Sequence, residues 1–113
     1  VIRRTIRFTP AARDHVRILK RWWRENRSHP DVPQQDIEEA LGILAVLPAV
    51  GPPYPSSPVP DTRRLYLDRL MCHLYYTFDE KEVLIRALWH ARRGLGPELK
   101  RKGDEQDRKT PSP

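Results

Sequence analysis

The sequence predicts a two-layer α+β fold, with a helical hairpin packed on one face of a four-stranded, mainly antiparallel sheet in the order strand, helix, helix, three strands. Three observations predict it. Apolar residues recur at helical spacing between Pro10 and Leu47, the mark of helices that bury one stripe. They alternate at period two in Ile2–Phe8 and again between Arg63 and His90, the mark of strands with one buried face. Between the helical part and the later strands lies Pro48–Pro60, with six prolines in thirteen residues.

The bulk numbers bound the answer. A chain of 113 residues holds one modest core, and residues 1–99 are expected to form that single domain. Residues 100–113 are charged, then rich in Thr, Ser and Pro, and are expected to be a disordered tail. The net charge is +6 with twelve prolines, which favours polyanions or acidic protein surfaces as partners. Residues 1–47 carry nine Lys/Arg against six Asp/Glu and residues 61–113 twelve against nine, so neither half alone accounts for the charge. The one cysteine, Cys72, cannot form an internal disulfide. No apolar run approaches bilayer-spanning length and no signal-peptide pattern opens the chain, so no membrane partner and a cytoplasmic location are expected. The chain starts at Val1 rather than Met, so a few natural residues are expected before it.

In the first strand Ile6 and Phe8 are expected to point inward, with Arg3 and Arg7 on the other face. Thr9-Pro10 is a helix start: the hydroxyl caps free N–H groups and Pro suits the first helical position. The helix is expected to run to about Asn26. Ala12, His15, Val16, Leu19, Trp22 and Trp23 form its apolar stripe, with Arg13, Arg17, Lys20, Arg21 and Arg24 opposite, expected as a solvated face rather than a nucleic-acid site. Ile18 and Trp22 widen the stripe, either as a broad core face or as a flank left for a partner protein.

Asp31, Pro33 and Gln34 have the pattern of a capping box opening a second helix. Ile37, Ala40, Leu41, Leu44 and Leu47 are its expected buried face, and Pro48 and Gly51 its stop. The proline-rich loop is expected to be a plain extended connection, because proline lacks a backbone donor and fixes φ. Turns at Asp68-Arg69 and at Asp79–Glu82 then separate three strands. Leu65, Leu67, Cys72, Leu74, Tyr76, Val83, Ile85, Ala87 and Trp89 alternate as the buried face. Arg64, Tyr66, His73, Tyr75, Arg86 and His90 fall on the other, expected as an open surface of cations, imidazoles and phenols. After His90-Ala91-Arg92-Arg93-Gly94, a segment through Leu99 is expected to be a short helix or turn.

The ordered set of pieces resembles the RelE/ParE superfamily of bacterial type II toxins over roughly residues 2–94. The pieces are the opening strand with Thr9-Pro10-Ala11-Ala12-Arg13-Asp14, Leu47-Pro48 with Gly51, Arg63-Arg64-Leu65-Tyr66-Leu67, His73-Leu74-Tyr75-Tyr76, and Val83 through Arg93. The resemblance implies a partner antitoxin that wraps the toxin with a helix and an extended segment, in a toxin–antitoxin hetero-oligomer. An acidic antitoxin would use both the Ile18–Trp22 flank and the basic sheet face.

The superfamily holds two chemistries. RelE-like members cut messenger RNA in the ribosome, whereas ParE-like members inhibit DNA gyrase. Cleavage through the 2′-OH needs a base, a cation for the phosphate and an acid for the leaving oxygen. His73, Arg86, His90 and Arg92 are the candidates for an mRNA endoribonuclease. Against it, Tyr66 stands where a RelE-like lysine is expected, and no tyrosine follows the last strand. His90-Ala91-Arg92-Arg93 instead resembles the ending of ParE-like members and relatives known as plasmid stabilisation proteins. The sequence therefore favours a ParE-like, growth-inhibiting toxin that is not itself an enzyme. Arg64, Tyr66, Tyr75, Arg93, Ile18 and Trp22 are then candidates for binding the target or the antitoxin. The residues also have plainer readings: His73 as a strand-surface side chain, Tyr75 as a β-former and Trp89 as core. The histidines show no metal-ligand spacing and no phosphate-binding glycine loop is present, so neither metal nor cofactor is expected.

Overall fold

Thr9 sets the start of the first helix as expected: its hydroxyl accepts from the Ala12 N–H at 3.1 Å, and Pro10 follows at the first helical position. The structure is a computed structural model describing residues 2–93 and 96–100. Its elements are β1 (Thr5–Phe8), α1 (Pro10–Asn26), α2 (Val32–Val46), a 3-10 turn at Pro48–Val50, β2 (Arg63–Leu67), β3 (Cys72–Phe78) and β4 (Glu82–His90). The sheet order is β1-β4-β3-β2, with β1 parallel to β4 and the other pairs antiparallel. This is the expected two-layer α+β arrangement of a strand, two helices and three strands.

The main core lies between the helices and one sheet face. Ala12 of α1 and Ile37, Ala40 and Leu44 of α2 meet Leu67, Cys72, Leu74, Tyr76, Val83, Ile85 and Leu88 there, with Ile6, Phe8, Val16 and Trp23 packed against them. An ion pair between Arg69 and Asp36 ties the β2–β3 turn to α2.

Several local expectations are corrected. The first strand begins at Thr5 rather than Ile2, whose side chain is exposed. No capping box forms at Asp31: this residue is itself helical (φ −85°, ψ −8°) and its carboxylate accepts from Gln35 Nε2 instead. Leu47 is the residue after α2 and is 60% exposed, because the helix ends before its side chain can turn inward. The first turn spans Asp68–Met71, with Met71 in the left-handed region at φ 54°. At the second, the Asp79 carboxylate accepts from the N–H groups of Lys81 and Glu82, both at 2.8 Å, which holds its pKa below the usual value.

The largest correction is in β4. Tyr75 pairs with Ala87 but Tyr76 pairs with Ile85, so Arg86 is an extra residue, a β-bulge. A bulge reverses which face the following side chains occupy. Val83 and Ile85 face the helices as expected, but so does Leu88, whereas Ala87 packs in a second cluster with Tyr75, Val59 and Leu99. The expected continuous alternation from Val83 to Trp89 therefore breaks at Arg86.

The proline-rich loop is not a plain connection. Pro53 bridges Arg63, the Arg64 N–H donates to Pro52 O, and the Tyr54 N–H donates to Thr62 O, so the loop lies along the edge of β2. Val59 and Tyr54 then fold over the sheet face away from the helices. Gly96–Lys100 has no regular structure, in place of the expected helix or turn, and buries Leu99 on the same face. Gly94, Leu95 and the expected tail beyond Lys100 lie outside the described residues.

Candidate functional site

Two surfaces carry the residues singled out in the sequence. The first is the sheet face away from the helices, where Tyr66 pairs with His73 across β2 and β3. Their rings are 5.1 Å apart, His73 is 6.0 Å from Tyr75, and Tyr75 is 5.2 Å from Tyr54. The Arg64 guanidinium lies 4.7 Å from the Tyr54 ring centre, a cation–π contact. Burial first, and then the Arg64 charge, lower the His73 pKa, which favours the neutral imidazole.

This face is only partly open. Tyr75 is 2% exposed beneath Tyr54, Val59 and Leu99, so it is not available as a contact residue. Arg86 is buried too: its Nε donates to Thr77 Oγ1 at 3.0 Å and its Nη1 to Lys100 O at 3.3 Å. Of the residues expected on an open face, Tyr66 is exposed and Arg64 and His73 are half-buried.

His90 is not on this face. It pairs with Cys72 at the end of β4 and looks toward α1. Arg92 follows in an exposed turn, its N–H donating to His90 Nδ1 at 3.2 Å. His73, Arg86, His90 and Arg92 therefore do not converge on one surface. A base, a phosphate-binding cation and an acid must all reach one phosphodiester to cleave it, and these four are divided between two faces and a buried site.

The second surface is a groove of about 340 Å³ between α1 and the end of β4. Ile18 and Trp22 line it, 51% and 45% exposed, together with Leu19, Trp23, Leu88 and Cys72. Two cations stand at its rim. Arg27 lies 5.0 Å from the Trp22 ring, and Arg93 lies 4.2 Å from the ring of Trp89, whose Nε1 donates to Arg93 O at 2.8 Å. Of the two alternatives for α1, Ile18 and Trp22 are thus an uncovered flank rather than core.

His15 organises the groove's inner wall, a role the sequence stripe did not reveal. β1 is too short to pair with the end of β4, so the Leu88 N–H is left facing α1 and donates to His15 Nδ1 at 3.2 Å. The His15 ring also meets Trp89 edge-on at 5.3 Å. The parts played by Tyr54, Val59 and Leu99 were equally hidden, because their positions depend on where irregular segments land. Among the described residues no group of three or more His, Cys, Asp or Glu is placed to hold a metal, and no helix is long and apolar enough to cross a membrane.

No protein-family model matches the chain, and no curated protein is recognisably similar to it in sequence. The fold is similar to that of a solved structure of a chromosomal ParDE TA system from P. aeruginosa, with a TM-score of 0.61. The two chains are 22% identical, and the match covers 77% of this chain and 95% of that one. The order of elements read from the sequence is thereby borne out at the level of fold.

Proposed function

We propose that this chain is the toxin of a type II toxin–antitoxin pair, of the ParE-like kind, acting on DNA gyrase in the cytoplasm and silenced by a cognate antitoxin. The observation that carries the reading is the groove beside Ile18 and Trp22 on a fold similar to that of a chromosomal ParDE system. An apolar cleft with Arg27 and Arg93 at its rim suits an amphipathic helix with acidic flanks. Such a segment supplies apolar side chains for the cleft and carboxylates for the cations. Ile18, Trp22 and Arg93 are then antitoxin contacts, and Arg64 and Tyr66 remain for the target.

The gyrase reading over RNA cleavage is supported by the dispersal of the candidate catalytic groups. Arg86 is occupied beneath the Lys100 carbonyl, and His90 faces the opposite side of the sheet from His73. Binding an enzyme and blocking it requires shape and charge only, with no such convergence.

The test is induction of the chain in bacteria lacking any antitoxin, followed within minutes by parallel assays of transcript integrity and gyrase-dependent DNA breaks. Arrested growth with DNA breaks and intact transcripts is expected. Cut transcripts with sound DNA would overturn the gyrase assignment, and harmless expression would overturn the toxin reading altogether.

A further inference from the structure

The charge of this protein is concentrated on one structural unit. Residues 1–27, which contain β1 and α1, carry nine Lys/Arg and two Asp/Glu, whereas residues 28–100 carry eight and ten. Dividing the chain near its middle conceals this, because the acidic start of α2 cancels the cations of α1. The net positive charge of the described residues therefore belongs to β1 and α1.

Within α1 the cations form a line. Arg13, Arg17, Lys20 and Arg24 recur at intervals of four, three and four residues, which places them along one side of the helix over roughly 16 Å. They surround a shallow groove whose apolar lining is Phe8 and Val16. Arg17 pairs with Asp14 at 3.1 Å, and Lys20 donates to the neutral Gln34. Arg13 and Arg24 are exposed and have no ion pair among the described residues. Trp22 lies nine residues from Arg13, about half a turn round the helix. A partner seated in the Ile18–Trp22 groove therefore leaves this line uncovered.

We infer that the Arg13–Arg17–Lys20–Arg24 line is a binding surface for the phosphate backbone of double-stranded DNA. A straight row of cations one helical turn apart matches a row of fixed negative charges, and Arg suits phosphate oxygens through its planar fork. No exposed aromatic ring lines the groove: Phe8 is half-buried. Single strands are gripped by stacking on such rings, so the row fits a duplex. It contacts backbone only and reads no sequence. This surface is independent of the toxin reading, since it follows from the charge arrangement alone.

The test is fluorescence anisotropy of a labelled 20-base-pair DNA duplex with the full chain, titrated across salt. With about four phosphates neutralised, affinity is expected to fall about 100-fold between 50 and 200 mM salt. Arg13→Gln with Arg24→Gln is expected to weaken binding at low salt and reduce that fall to about 10-fold. Arg64→Gln with Arg93→Gln removes the same charge from elsewhere on the molecule and is expected to change binding less than the first pair. Absence of binding at 50 mM salt would overturn the inference, as would equal losses for the two pairs. Equal or tighter binding to poly-glutamate, to a single strand or to an RNA duplex would also overturn it. Because the assay uses no antitoxin, gyrase or cells, its failure is separate from failure of the toxin assignment.

Discussion

The hydroxyl of Tyr76 accepts from the backbone N–H of Gly51 at 2.9 Å and donates to Pro48 O at 2.6 Å, joining the core of the sheet to the start of the proline-rich loop. Tyr76 is fully buried, and burial raises its pKa. A Cβ at position 51 would stand 2.6 Å from that hydroxyl, so only glycine leaves room for the bond. Tyr76→Phe strands a buried N–H and a carbonyl, which is expected to cost about 1–3 kcal/mol. Gly51→Ala is expected to destabilise through the same contact by forcing the ring or loop to shift. Urea denaturation of both variants checks this, and an undiminished midpoint for Tyr76→Phe would contradict the bond's role.

His73 gives the fold a defined acid sensitivity. Its folded pKa lies below the ordinary value of 6.5, because burial and the Arg64 charge both disfavour the imidazolium. The unfolded chain therefore binds more protons, and stability rises with pH through this window. The contribution is complete above about pH 6.5 and is lost as pH falls toward the folded pKa. His73→Asn is expected to flatten the thermal midpoint in that range. Arg64→Gln is expected to move the His73 titration upward in an NMR pH series; an unchanged titration would show that Arg64 does not act on the ring.

The helical part and the order of elements along the chain were legible in the sequence because they rest on repeated local patterns; the placing of β1 beside β4 was not. The Thr9-Pro10 start and the stripe from Ala12 to Trp23 each recur or carry a specific capping group. The faces of β4 were not legible, since one inserted residue at Arg86 reverses a period-two pattern without any glycine or proline to mark it. Tyr75 and Arg86 were assigned to an open surface for the same reason that Tyr54 and Leu99 were overlooked. What covers a sheet is decided by irregular segments, whose landing points no periodicity encodes. The exposed flank of Ile18 and Trp22 was visible as surplus hydrophobicity, but whether the sheet would cover it depended on packing.

Cys72 tests whether the floor of the Ile18–Trp22 groove is closed. Burial pushes the thiol up to about 11, and its Sγ donates to Leu70 O at 3.3 Å. Thiolate is the reactive form, so alkylation at pH 8 is expected to be far slower than for a free thiol and to become rapid in denaturant. Trp22→Ala, which opens the groove without touching the main core, is expected to speed labelling modestly. Fast labelling of the native protein would mean that the cleft opens readily to the sulfur.

Leu99 anchors the C-terminal segment over the sheet. Its side chain is buried with Val59, Tyr75 and Ala87, while the neighbouring Lys100 carbonyl accepts from Arg86. Leu99→Ala removes most of the apolar contact that holds the segment down, and a buried Leu→Ala change costs about 2–5 kcal/mol when the site cannot collapse. This anchor lies in a segment without regular structure, which can lift away locally, so a global loss near or below the lower figure is expected. Hydrogen exchange distinguishes the two routes. Local release is expected to deprotect the bonded amides of Tyr54 and Val59 that pack with Leu99 while the β3–β4 ladder stays protected. Uniform loss across the ladder would instead show that Leu99 supports the whole sheet.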